Sequence, residues 1–171
     1  KLHELNRHLR GATDTTFIED RAHPLPHPAG VRYVITLDSD TQLPMEAGRR
    51  LVGTLSHPLN RPRFDARLQR VTEGYGVLQP RISVSVVSAN RTMFSKVFSG
   101  HVGVDPYTTA VSDLYQDMFH EGSYVGKGIY DVDAFDAALA GRVPENQLLS
   151  HDLFEGIFAR LAPGGEGRLI L

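Results

Sequence analysis

The segment that most constrains this chain is VRYVITLDSD, which occupies residues 31–40. Its β-branched and apolar residues predict a buried strand over residues 31–37. Asp38 and Asp40 then place two carboxylates at the end of that strand. Mg²⁺ and Mn²⁺ prefer oxygen ligands and usually complete their shells with water and substrate phosphates. The segment therefore predicts a metal–diphosphate site. The alternative interpretation is a polar strand-to-loop turn, in which Asp and Ser are common.

Two other metal-binding motifs do not fit this segment. An EF-hand loop that starts at Asp38 requires glycine at its sixth position, where Leu43 stands. A phosphatase-type Asp-x-Asp-x-Thr motif would need threonine or valine in place of Gln42. What remains is an aspartate pair followed by Pro44, which suits the first turn of a helix. Ligand sites of open α/β sheets lie in this position, outside the carboxyl ends of the strands.

The composition predicts an ordinary soluble globular domain. The 171 residues are enough for one domain with a core, and 41% of them are hydrophobic. A net charge of −2 argues against a nucleic-acid-binding surface, which normally shows a basic excess. Because cysteine is absent, disulfides and thiolate-ligated metal sites are excluded. No apolar run approaches the roughly 20 residues that span a bilayer, and no signal peptide is visible.

The hydrophobic periodicity predicts a mixed α/β order of elements in a single domain, 1–171. The predicted elements are, in chain order, a helix at 1–10, a loop or flexible segment at 11–30, a strand at 31–37, a helix at 44–56, a strand at 77–87, a helix at 107–119, a strand-like segment at 123–130, a helix that Asp131 or Asp133 caps and Gly141 ends, and a helix from about Ser150. Since a helical pattern without an initiator methionine opens the chain, we expect an excerpt of a longer protein.

The segment EGSYVGKGIYDVDAF, residues 121–135, places a lysine between two glycines. It does not match a Walker A loop, because Gly122 and Gly126 are separated by three residues and Gly128 takes the hydroxyl position. Glycines on both sides of Lys127 still allow the backbone to approach a ligand closely. A substrate loop and a simple strand–turn–strand are both consistent with this segment.

The segment SHDLFEG, residues 150–156, has a polar start and a helical continuation. Ser150 can cap the helix, and Asp152 then lies in the first turn, where the helix N-terminus favours an anion. This capping pattern is sufficient to explain the segment. The functional interpretation makes Asp152 a general base.

Four long motifs carry a family resemblance. In chain order they are LDSDTQLP, GYGVLQPRISV, GVDPYTTAVSDLYQDMFHEGSYVGKGIYDVDAF and PENQLLSHDLFEG. They closely resemble the glycosyltransferase domain of bacterial cyclic β-1,2-glucan synthases, very large inner-membrane proteins that polymerise glucose from UDP-glucose. The resemblance covers nearly the whole chain, from KLHELNRHLRG to SHDLFEG. More distantly, the same order is similar to cellulose-synthase-type transferases with a GT-A fold.

The resemblance implies a role for several residues. Asp38 and Asp40 match the Asp-x-Asp that holds Mg²⁺ or Mn²⁺ and the nucleotide diphosphate in those transferases. Asp152 matches the catalytic base of a Thr-Glu-Asp-like motif, although Ser and His stand before it here. The Gln-x-x-Arg-Trp motif of the processive enzymes is absent, since the chain contains no Trp. The predicted substrate-binding residues are Lys127, Tyr124, Tyr130 and Gln79.

The fold and activity implied by the resemblance are those of an inverting glucosyltransferase. We expect a truncated GT-A-like mixed sheet flanked by helices, which lacks the N-terminal strands that cradle the nucleoside. In the intact protein it would transfer glucose from UDP-glucose to a growing β-1,2-glucan, at the cytoplasmic face of the bacterial inner membrane. The excerpt would hold the metal, acceptor and base side. By itself we expect it to be inactive and to bind UDP weakly, with strand 31–37 exposing an edge that could pair with a second copy.

Two other classes of function remain open from the residues. A non-catalytic carbohydrate- or nucleotide-binding module would keep the fold but tolerate loss of Asp152. A metal-dependent phosphohydrolase would use the aspartate pair with a water, and would need further His or Asp ligands nearby. His101, His120 and His151 are the candidates, and none forms a ligand spacing with another.

Overall fold

A computed structural model of the chain describes residues 2–17, 28–39, 41–83, 93, 118, 124, 126–142, 158–162 and 168–170. The helices are α1 (Leu2–Leu9), α2 (Ala47–Ser56) and α3 (Val132–Leu139). The strands are β1 (Tyr33–Thr36), β2 (Arg63–Asp65), β3 (Arg70–Glu73), β4 (Val77–Leu78), β5 (Arg81–Ser83), β6 (Gly128–Asp131), β7 (Leu161–Ala162) and β8 (Arg168–Ile170). Among the described residues, no helix is long and apolar enough to cross a membrane.

The central sheet has the strand order β1-β6-β4-β7 and mixes both kinds of pairing. Strand β6 pairs antiparallel with β1 and with β4, whereas β4 and β7 run parallel. Two smaller pairs accompany it: β2 and β3 form an antiparallel pair, and β5 pairs parallel with β8. Within the described residues β1 lies at one end of the sheet, with β6 as its neighbour.

Helices cover both faces of the central sheet. Side chains alternate between the two faces along each strand, so each face carries apolar residues that a helix can bury. On one face, Ile129 and Leu78 pack against Leu51 and Leu55 of α2. On the other face, Val77 and Tyr130 join a core with α3, whose buried residues include Phe135 and Leu139. This arrangement confirms the predicted mixed α/β class with helices flanking a mixed sheet.

Local signals explain where two helices begin and end. The Asp131 side chain accepts a hydrogen bond of 3.1 Å from the Ala134 amide, which makes it the N-cap of α3. Gly141 follows that helix with a positive φ of 70°, as a C-terminal glycine commonly does. Helix α2 begins at Ala47, three residues after the predicted start at Pro44, because Glu46 adopts a left-handed conformation with φ 69°.

The predicted strand over 77–87 is wrong in its continuity. Strands β4 and β5 are separate, and they belong to different sheets. Pro80 lies between them and has no amide hydrogen to donate to a sheet ladder. The first predicted helix is confirmed as α1, and residues 11–17 and 28–30 contain neither helix nor strand. The helix predicted at 107–119 lies outside the described residues apart from Met118, and so does the helix predicted from Ser150 up to residue 157. The end of that helix, before PGGEG, is wrong, because Leu161–Ala162 form strand β7 and pair with β4.

Candidate functional site

The aspartate segment forms a turn at the carboxyl end of β1. The carbonyl oxygen of Asp38 accepts a hydrogen bond of 3.0 Å from the Thr41 amide, and the Asp38 side chain is 57% exposed. The Thr41 hydroxyl oxygen is buried and has no hydrogen-bond partner among the described residues. Asp40 lies outside the described residues. The turn therefore presents an open carboxylate, with an unpaired hydroxyl oxygen three residues on.

Lys127 is brought to this turn from the far side of the sequence. Its ammonium nitrogen lies 2.9 Å from Oδ2 of Asp38, and its side chain is 20% exposed. The antiparallel register sets Thr36 opposite Gly128, so the residue before β6 stands beside the residues after β1. Two of the predicted site residues, Asp38 and Lys127, are thus direct partners.

Backbone geometry explains why glycine stands on both sides of Lys127. Gly126 has a φ of 74°, a conformation that disfavours residues with a side chain. A Cβ on Gly128 would lie 2.4 Å from the Leu78 carbonyl oxygen, because β6 and β4 approach closely there. The GKG sequence therefore builds the tight entry to β6 and fixes where Lys127 emerges.

Tyr124 lies beneath the end of β1. Its side chain is 2% exposed, and its hydroxyl is 2.6 Å from the Thr36 hydroxyl. Thr36 precedes Asp38 by two residues, so this contact supports the strand end from the core. The structure therefore places Tyr124 next to the predicted site, but below the surface.

Tyr130 and Gln79 are also buried. The Tyr130 side chain is fully buried, its hydroxyl donates to Oδ1 of Asn6 at 2.8 Å, and its ring centroid lies 4.4 Å from that of Phe135. Tyr130 thus packs in the core between α1 and α3. Gln79, which is 5% exposed, follows β4, and its Cα lies 3.3 Å from the position that a Cβ on Gly128 would take.

The Asp38 carboxylate is suited to a hard cation, because Mg²⁺ and Mn²⁺ prefer oxygen ligands. Within the described residues no group of three His, Asp or Glu side chains comes together. The two other predicted charged residues, Asp40 and Asp152, lie outside those residues. Of the three predicted metal and catalytic aspartates, the structure therefore describes Asp38.

Sequence reasoning missed the hydroxyls of Thr36 and Thr41, and also a charged cluster at the other end of β1. There Nε of Arg32 donates to Oδ2 of Asp131 at 3.2 Å, and the Asp131 side chain is 6% exposed. Arg10 donates to Asp133 and, at 2.9 Å, to the carbonyl oxygen of Val31. The alternation of residues in YVIT indicates that Thr36 lies on the Tyr124 face, whereas no local signal indicates these long-range ion pairs.

Comparison with known proteins shows a relative of this chain among the glucan synthases. Over 163 residues the chain is 52% identical to the cyclic beta-(1,2)-glucan synthase NdvB of Rhizobium meliloti (strain 1021). The match covers 95% of this chain but 6% of that protein. No protein-family model matches the chain. The predicted resemblance is confirmed: the chain is homologous to a small segment of a cyclic β-1,2-glucan synthase.

Proposed function

We propose that this segment is the metal, acceptor and base part of an inverting glucosyltransferase with a GT-A-like fold, within a large membrane-embedded cyclic β-1,2-glucan synthase. The homology over 95% of the chain supports the proposed class of reaction, glucan synthesis. The mixed sheet with helices on both faces is compatible with a GT-A-like fold. The Asp38–Lys127 pair supports the location, because it lies outside the carboxyl end of a strand, where α/β folds bind ligands.

In the proposed reaction an acceptor hydroxyl of the growing β-1,2-glucan displaces UDP from UDP-glucose in one step. Asp152 takes the proton from that hydroxyl as its oxygen attacks the anomeric carbon from the face opposite UDP. One displacement on an α-linked donor gives a β-linked product without a covalent glycosyl-enzyme. Asp40, with Asp38 nearby, would hold Mg²⁺ or Mn²⁺, which supplies charge neutralisation for the diphosphate leaving group.

The ion pair suggests how the two aspartates divide this work. A divalent cation on Oδ2 of Asp38 would lie close to the Lys127 ammonium, and the two positive charges would repel each other at that distance. In our proposal Asp40 therefore binds the cation directly, while Asp38 orients Lys127. The diphosphate would then meet two positive charges, the cation and the Lys127 ammonium.

The proposal is tested by glucose transfer from UDP-glucose in the intact protein. Asp40→Asn should abolish transfer and leave the fold intact, since it removes the proposed direct metal ligand without changing side-chain size. Asp65→Asn is the matched control, because Asp65 accepts from the Arg67 and Leu68 amides in a surface turn and an asparagine can do the same. Near wild-type polymerisation by Asp40→Asn would overturn the metal assignment.

A second substitution separates the transferase from a non-catalytic binding module. Asp152→Asn should remove transfer while leaving binding of UDP and Mn²⁺ unchanged, because the base acts on the acceptor and not on the nucleotide. Unchanged transfer would exclude Asp152 as the base. The phosphohydrolase alternative would need His101, His120 or His151 as further ligands, and these three residues lie outside the described residues.

A further inference from the structure

A second candidate site lies at the opposite end of the β1–β6 pair from Asp38. It is a cavity of about 880 Å³, in the range of ligand-binding cavities. The end of α1, the residues before β1, the start of β2 and the start of α3 line it, and it opens to solvent. The register places Asp131 opposite Tyr33 at this end and Gly128 opposite Thr36 at the other. The lining residues used below are Arg10, Arg32, Pro62, Phe64, Asp133 and Ala137.

The charged groups of this cavity neutralise one another in pairs. Arg10 donates through Nε to Oδ1 of Asp133 at 3.0 Å, and Arg32 donates to Asp131 at 3.2 Å. Each guanidinium carries five N–H donors, more than these contacts use. Asp133, with a side chain 74% exposed, is a carboxylate at the open part of the cavity. The cavity thus combines zero net charge with many donors and acceptors.

This combination selects a class of ligand. An anion would have to compete with carboxylates already bound to Arg10 and Arg32, and a cation would face the two guanidinium groups. A purely apolar ligand would bury charged side chains at a cost. A neutral polyhydroxyl ligand avoids these penalties, because each hydroxyl can donate to a carboxylate and accept from a guanidinium. Its C–H faces can pack on Phe64 and Pro62, which also line the cavity.

We propose that this cavity binds a neutral carbohydrate, namely a stretch of the glucan chain away from the reacting end. The carbohydrate class follows from the cavity, whereas the β-1,2 linkage rests on the proposed function. A second contact on the same chain raises the effective concentration of the acceptor near Asp38 without a new contact to the donor. The cavity should therefore lower the KM for the acceptor and leave kcat unchanged.

The test is binding of a short, soluble β-1,2-linked gluco-oligosaccharide to the intact protein, measured by titration calorimetry. Ala137→Trp places a large ring in the cavity from a half-buried position on α3 and should weaken binding about tenfold, or 1.4 kcal/mol. Ala66→Trp is the matched control, because Ala66 is exposed in the turn after β2 and does not line the cavity. Its affinity should equal that of the wild type.

Asp133→Asn provides a second variant that keeps the side-chain size and removes one charge. It should also weaken oligosaccharide binding and raise the KM for the acceptor at constant kcat. Wild-type affinity in both Ala137→Trp and Asp133→Asn, or equal loss in Ala66→Trp, would overturn the inference.

The Asp40→Asn variant separates this inference from the proposed function, because it should lose glucose transfer and keep oligosaccharide binding in the cavity. If Asp40→Asn still transfers glucose while Ala137→Trp loses binding, the proposed metal site fails and the cavity stands.

Discussion

The two ends of the β1–β6 strand pair hold the same chemical pair, a carboxylate with a cation, in different surroundings. At one end the Asp131 side chain is 6% exposed, accepts from Arg32 and caps α3. At the other end the Asp38 side chain is 57% exposed and accepts from Lys127. Both carboxylate oxygens of Asp131 are engaged in holding elements together. Asp38 is left open to solvent, so burial rather than the presence of an ion pair separates the structural aspartate from the one available to a ligand.

The difference also has an energetic side. An exposed ion pair contributes about 0–1 kcal/mol, since water screens it and two long side chains lose freedom. Removing one partner of a buried ion pair lowers the free energy of unfolding by several times more, because the surroundings cannot hydrate the charge that remains. Substitution of the buried Asp131 should therefore lower the free energy of unfolding, whereas substitution of the exposed Asp38 should change it little.

The largest expected effect on stability is that of Asp131→Ala. The change removes the N-cap of α3 and leaves the Ala134 amide and the Arg32 guanidinium without this acceptor. We expect a loss of about 2–3 kcal/mol in the free energy of unfolding, measured by urea denaturation. The neighbouring Asp133→Ala, at a side chain 74% exposed, should cost less than about 1 kcal/mol. Equal losses for the two variants would contradict the contrast by burial.

The two buried tyrosine hydroxyls extend the comparison to the core. Tyr130→Phe removes the donor to Oδ1 of Asn6, a residue that is fully buried and whose Nδ2 already lacks a partner among the described residues. We expect a loss of about 1–2 kcal/mol by urea denaturation. Tyr124→Phe, which removes the contact to Thr36 under the Asp38 end, should cost about 1 kcal/mol because Thr36 is partly exposed. A Tyr130→Phe variant as stable as the wild type would show that this core contact is dispensable.

Lys127→Met should change stability little and function strongly. The ion pair with the exposed Asp38 contributes about 0–1 kcal/mol, and methionine keeps most of the apolar stem. In the intact protein we expect glucose transfer to fall at least about tenfold, since one positive charge facing the diphosphate is lost. Lys127→Arg should retain part of the activity. Full activity in Lys127→Met would remove this residue from the site.

The smallest effect concerns a third pair, Arg7 with Asp14, which lies wholly at the surface. The hydrogen bond from the Arg7 guanidinium, with Nη2 2.6 Å from both carboxylate oxygens, lowers the pKa of Asp14 below its ordinary value. The contribution of this pair is therefore complete above the ordinary aspartate pKa of about 3.9 and is lost as pH falls through the lowered pKa.

Thermal melts of wild type and Asp14→Asn between pH 6 and about pH 2 measure this contribution. The wild type should lose slightly more stability than the variant below about pH 4, because Asp14 takes up a proton there and its contact with Arg7 weakens. Parallel pH dependences would show that the exposed pair contributes nothing measurable, as many surface ion pairs do.

Short-range signals predicted the parts of the fold that depend on neighbouring residues. The cap at Asp131 and the glycine at position 141 bounded α3, and the β-branched run located β1. The same signals failed where pairing decided the outcome. The alternation of apolar and serine residues from Ile82 to Val86 predicted one strand over 77–87. The break at Pro80 and the partners β6 and β8 instead place β4 and β5 in two sheets.

For the candidate site, too, residue type indicated which residues to consider but not where their side chains lie. Residue type alone marked Asp38 as a carboxylate at the end of a strand and Lys127 as a lysine between two glycines. It also marked Tyr124 and Tyr130 as substrate-binding, but aromatic residues suit a sugar channel and a core equally well. The structure places both of these side chains in the core, with their hydroxyls paired to Thr36 and Asn6.

The long motifs around Asp38, Lys127 and Asp152 were enough to predict the family resemblance that the homology confirms. The contacts between charged residues depend instead on how the strands pair. Lys127 reaches Asp38, and Asp131 reaches Arg32, because β1 and β6 run antiparallel in one register, which aligns residues far apart in the chain. Registers of this kind depend on packing against both faces of the sheet at once, and no local pattern encodes them.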